Sequence, residues 1–120
     1  MANKKQREEV MEVFYHNIYE YQKGLRNLSL CTLDKKNRQK IEQRLNKEKI
    51  SYVIHDITDV KINVYFGSKA SVAVIQSFNQ ISLNKLTPEE DFILGIMLGY
   101  DRLMQCDRYL KRRYLAQKAS

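Results

Sequence analysis

Residues 87–99 constrain the fold more than any other stretch of this chain. Thr87-Pro88-Glu89-Glu90 is a helix start: Thr87 suits the N-cap, Pro88 fits the first helical position with its fixed φ and missing N–H, and Glu90 completes a capping box. The residues that follow, Phe92-Ile93-Leu94-Gly95-Ile96-Met97-Leu98-Gly99, are apolar on every side of the helix they must form. A surface helix carries a polar face, so something covers this one all round. Either it is a central helix within one subunit, or the domain core takes one face and a second copy takes the rest, with Gly95 and Gly99 allowing close approach. We expect the second arrangement, because a chain of 120 residues has little surface of its own to spare. Phe92, Leu94, Met97, Leu98 and Tyr100 are then the expected homodimer contact. Continued to Ala116, the helix would be roughly 43 Å long, which predicts a break or a protruding end near Gly99 or Gln105.

The rest of the chain supplies a sheet and three more helices. Residues 6–23 predict a helix, with Phe14, Ile18, Tyr21 and Leu25 spaced by 4, 3 and 4, Glu8, Glu9 and Glu12 at its N-terminal end, and Gly24 as a left-handed stop. Alternation through residues 28–33 predicts a strand. Asp34 is placed to cap a basic helix that offers only Leu33, Ile41 and Leu45 to a core. Residues 50–57 and 60–66 predict two strands turning at Thr58-Asp59, with Val60, Ile62, Val64 and Phe66 on one side and Lys61, Asn63 and Tyr65 on the other. Ser68 or Ser71 opens a helix along Val72, Ile75 and Phe78, and residues 79–86 lead on from it. The order α-β-α-β-β-α-α predicts an α+β fold with a small three-stranded mixed sheet and about five helices packed on it. A crossover helix makes the first two strands parallel, and the hairpin adds the third antiparallel.

Length predicts one domain over residues 1–120, with flexible ends at 1–8 and 116–120. The longest apolar run is far short of the roughly 20 residues that cross a bilayer, and no apolar stretch follows the basic start as in a signal peptide. A cytoplasmic protein is expected, with Cys31 and Cys106 as buried thiols. The net charge of +7 is segregated: +5 in residues 1–50, −2 in residues 51–104 and +4 in residues 105–120.

No set of residues converges on catalysis. Cys31, Cys106, His16 and His55 lack zinc-ligand spacing, neither cysteine sits in a nucleophile motif, and His55 and Asp56 point to opposite faces of a strand. Gly67-Ser68-Lys69 could hold an anion at a helix start, but an ordinary turn is the better reading without the rest of a phosphate-binding pattern. No enzyme activity, catalytic residue, metal site or cofactor is therefore expected. The cations that stand out are Arg108, Lys111, Arg112 and Arg113, interleaved with Tyr109 and Tyr114, together with seven basic residues against two acidic over residues 35–49. Such surfaces suit an acidic protein or, as the alternative, nucleic acid. The missing RNA-binding and zinc-finger signatures make nucleic acid the second choice.

The stretches Val13-Phe14-Tyr15-His16-Asn17-Ile18-Tyr19-Glu20-Tyr21-Gln22-Lys23-Gly24-Leu25-Arg26, Leu86-Thr87-Pro88-Glu89-Glu90-Asp91-Phe92-Ile93-Leu94-Gly95 and Gly99-Tyr100-Asp101-Arg102-Leu103 resemble a bacterial family, the domain of unknown function numbered two thousand and twenty-three. The resemblance runs over residues 11–114. It implies a compact homodimeric domain of three strands and about five helices with no assigned activity, and a link to flavodoxin-dependent electron transfer. The partner it suggests is an acidic protein such as a flavodoxin.

Overall fold

The computed structural model describes residues 4–78 and 82–119, with side chains from residue 11 onward. The elements are α1 (Lys4–Gln22), β1 (Leu28–Asp34), α2 (Arg38–Lys47), β2 (Ser51–Asp56), β3 (Lys61–Gly67), α3 (Lys69–Gln76), α4 (Pro88–Met97) and α5 (Arg102–Ala119), with short 3-10 turns at Lys35–Asn37 and Leu83–Lys85. The fold is α+β, as the order of elements predicts. The side chains of Glu8 and Glu9, residues 1–3 and 120 of the ends where flexibility is predicted, and residues 79–81 of the 79–86 connection lie outside the described residues, while residues 4–8 and 116–119 continue α1 and α5.

The sheet order is β1-β3-β2, and both ladders are antiparallel. This corrects the mixed sheet expected from sequence. Strands β1 and β2 do run the same way, but β3 comes back between them, so the parallel strands never pair. A burial pattern accompanies the choice: among the described strands only β3 is buried along six consecutive residues, Ile62 to Gly67, and a central position covers both of its faces.

Period-two alternation divides those faces between two cores. Cys31, Leu33, Ile62, Val64 and Phe66 point to one side, where Phe14 and Ile18 of α1 and Ile41 and Leu45 of α2 meet them. Leu28 and Tyr65 point to the other, against Val72 and Ile75 of α3 and Leu94 and Leu98 of α4. The result is three layers, two helical and one sheet. Phe14 and Phe66 pack edge to face with ring centroids 5.6 Å apart at the middle of the first core. Leu25 and Val60, which the spacing assigned to the core, are exposed, because each falls just beyond the end of its element.

Helix ends follow the local chemistry. Gly24 takes φ +78° and closes α1 with bonds from its N–H to Tyr21 O and from Leu25 N–H to Glu20 O, a Schellman motif. Lys49 closes α2 in the same way at φ +57°, with Ile50 N–H reaching Leu45 O. Asp34 does not cap α2: a 3-10 turn intervenes, and its carboxylate takes the Lys61 ammonium at 2.6 Å instead.

Candidate functional site

The predicted capping box is present. Glu90 N–H donates to Thr87 Oγ1 at 3.1 Å, and Thr87 N–H donates to Glu90 Oε1 at 3.0 Å. The long helix breaks where glycine allows it: Gly99, at φ +84°, donates to Ile96 O, and Tyr100 N–H donates to Gly95 O. Asp101 then starts α5, its Oδ1 accepting from Met104 N–H at 2.9 Å. The two caps fold α4 and α5 into a helical hairpin. At its throat the Gln105 side chain fills the space beside Gly95, where a Cβ would stand 2.1 Å from Gln105 Oε1 and the Gln105 side chain would have to move.

Polar groups hold the hairpin shut. Asp91 receives Arg108 through two bonds, Nε at 2.8 Å and Nη2 at 3.2 Å, and Arg112 Nη1 lies 3.3 Å away. Arg112 also donates to Leu86 O at 3.0 Å, Arg113 pairs with Glu89 at 2.8 Å, and the rings of Phe92 and Tyr109 touch with centroids 5.3 Å apart. The Arg108 hydrogen bonds hold the Asp91 carboxyl below its ordinary range against the opposing effect of burial, with smaller help from Arg112. Arg108 is held more firmly protonated by the same pair.

These contacts redistribute the predicted site residues. Arg108, Arg112 and Arg113 are not a free basic surface: the acids at the start of α4 already take them, and of the four only Lys111 is exposed without an ion pair among the described residues. Leu94 and Leu98 are not at the surface either, being 7 % and 6 % exposed inside the second core. Met97 packs partly on that core, Phe92 lines a groove between the helices, and Tyr100 is exposed in the turn. The all-round apolar helix is thus covered mainly by its own subunit on the Leu94–Leu98 side and by α5 at Gly95 and Phe92.

What sequence reading passed over is the outer side of α5. No residue of this 18-residue helix is buried. Its half-covered residues, Gln105, Tyr109 and Arg112, face α4, while Leu103, Leu110 and Tyr114 stand exposed with Met104 and Leu115 beside them. The helix turns its polar edge inward and its apolar edge outward. The signal was available as Leu103, Cys106, Leu110 and Tyr114 at spacings of 3, 4 and 4, hidden among the charges that drew attention to the tail.

Other candidates dissolve into structure. Cys31 is buried, accepts from Asn17 Nδ2 at 3.0 Å, and has its thiol pushed up by burial. Cys106, expected to be buried, is exposed on α5. His55 lies against the Tyr65 ring on the opposite sheet face from Cys31, its pKa lowered by burial. Ser68 caps α3 through Ser71 N–H, and its own N–H donates to Asn27 O, so the Gly67 turn is an ordinary one whose glycine fits against the Asn27 carbonyl. Among the described residues no three His, Cys, Asp or Glu side chains gather to hold a metal, and no helix is long and apolar enough to cross a membrane.

A three-layer α+β domain carrying an outward-turned helical hairpin is the class that this architecture defines. Its sequence matches, over residues 12–112, the family described as a protein of unknown function, DUF2023, and the chain belongs to that family. No curated protein matches it.

Proposed function

We propose that this chain is a non-enzymatic interaction protein that works as a homodimer, with the outer side of the α4–α5 hairpin in its contact surface. The observation that carries the reading is α5 itself, a long helix that buries none of its residues and presents its apolar edge to solvent. Scattered apolar residues on a surface are normal, whereas a continuous apolar edge marks a contact. The non-enzymatic reading rests on the separation of the nucleophiles and bases, with Cys31 and His55 on opposite faces of the sheet. Sedimentation equilibrium at tens of micromolar should give a dimer, and a monomer at that concentration would refute the reading.

An acidic protein, of the flavodoxin kind that the family resemblance suggests, fits a different part of the molecule. Lys36, Lys40, Lys47 and Lys49 are exposed around α2 without an ion-pair partner among the described residues. With Arg108, Arg112 and Arg113 already engaged by Asp91 and Glu89, these lysines form a cluster of cations that an acidic surface would meet. Pull-down at low and high salt tests this: a protein captured at low salt and lost on reversal of Lys36 and Lys40 to Glu supports it. Capture that ignores those changes, or nanomolar sequence-selective nucleic-acid binding, counts against it.

A further inference from the structure

Resting on the homodimer just proposed, we infer that the two copies join through an antiparallel pair of α5 helices whose two-fold axis passes between residues 108 and 109. The stripe Leu103, Cys106, Leu110, Tyr114 follows one line along α5, and at 1.5 Å per residue it is roughly 16 Å long. Leu103 is 71 % exposed, Leu110 64 % and Tyr114 58 %. Across a groove of about 480 Å³ the apolar surface continues onto Phe92 and Ile93 of α4.

The stripe is self-complementary about its own midpoint. An antiparallel partner centred there sets Leu103 on the partner's Tyr114 and Leu110 on the partner's Cys106. Charge selects the same arrangement. Asp107 and Lys111 are exposed along one edge of the stripe, and neither has an ion-pair partner among the described residues. A two-fold perpendicular to the helices brings each edge against the same edge of the other copy, so Asp107 lies within about one residue's rise of the partner's Lys111, and the pairing occurs twice. A parallel pair would instead set each edge against the partner's other edge, so that Asp107 and the partner's Lys111 would not meet. The arginines that would oppose such an approach, Arg108, Arg112 and Arg113, are already held by Asp91 and Glu89.

Two experiments test this seam separately from dimerisation itself. In a Cys106→Ser background, chains carrying Leu103→Cys are mixed with chains carrying Tyr114→Cys and oxidised. The mixture should give a disulfide-linked pair, while each variant alone gives none, because equivalent positions are too far apart for the ~5.5–6 Å Cα separation of a disulfide. Self-linking by either variant alone would establish a parallel seam and overturn the inference. The absence of any link in a sample that still sediments as a dimer would place the contact elsewhere, leaving the homodimer reading intact. A monomeric wild type would remove both. In the second experiment Asp107→Lys and Lys111→Asp each raise the dimer dissociation constant about tenfold, as expected for two exposed pairs reversed together. The double exchange returns it to within about threefold of wild type. Singles without effect, or a double no better than the singles, would overturn the assigned ion pairs.

Discussion

Replacing Asp91 by Asn tests what holds α5 in place. The substitution keeps the side chain's shape but removes the charge that takes Arg108 through two bonds and Arg112 through a third contact. A hydrogen bond to a charged group contributes roughly 1.5–3 kcal/mol. That range must be reduced here, because the Arg108 side chain is 56 % exposed although Asp91 is only 16 % exposed, and exposed pairs are screened. A loss of about 1–2 kcal/mol results. Since α5 buries no residue in the subunit, the loss should fall mostly on local opening of the hairpin rather than on the sheet. Amide hydrogen exchange in α5 should therefore speed up by roughly 5–30-fold, with the amides of β3 changing much less. The acid side provides an independent check. The Asp91 carboxyl titrates below its unfolded value, so its contribution is present above that unfolded value, near 3.9, and disappears as pH falls through the lower folded one. The difference in stability between wild type and Asp91→Asn should shrink over that acidic window. Unchanged α5 exchange in the variant would refute the idea that this clamp retains the helix.

Thr87→Ala removes the acceptor for Glu90 N–H and should lower stability by about 1 kcal/mol; an unchanged denaturation midpoint with an unchanged slope would show that the cap contributes nothing. Lys49→Gly should stabilise the protein by about 0.5–1 kcal/mol, since a non-glycine left-handed residue costs roughly 1–2 kcal/mol and glycine's extra unfolded freedom returns part of that; a lower midpoint in urea would contradict it. In a Cys106→Ser chain the remaining thiol, Cys31, should react with a thiol reagent only as fast as the protein opens, because it is buried and its thiol is pushed up; rapid modification of the native protein would mean that its cover is loose.

Much of the fold was legible because the signals are local. The Thr87-Pro88-Glu89-Glu90 box, the Gly24 stop and the Ile62, Val64, Phe66 alternation each depend on neighbours within one turn or one strand, where hydrogen-bond geometry and side-chain period follow from sequence. The break near Gly99 was legible for the same reason, as a left-handed position favours glycine. The functional surface was read less well. Leu94 and Leu98 look like contact residues in isolation, and Arg108, Arg112 and Arg113 look like free cations.

Sequence by itself determined the element order and the α+β class, because backbone and side-chain preferences act over a few residues. Only the tertiary structure decided that β3 returns between β1 and β2, since an antiparallel hairpin can extend a sheet on either edge and burial of both faces of β3 selects one. It also decided which charges are free. Asp91 and Arg108 lie 17 residues apart in the chain, and only the folding of α5 back on α4 brings them into bonding distance. That pairing holds Arg108 against α4 and leaves the apolar edge of α5 on the outside.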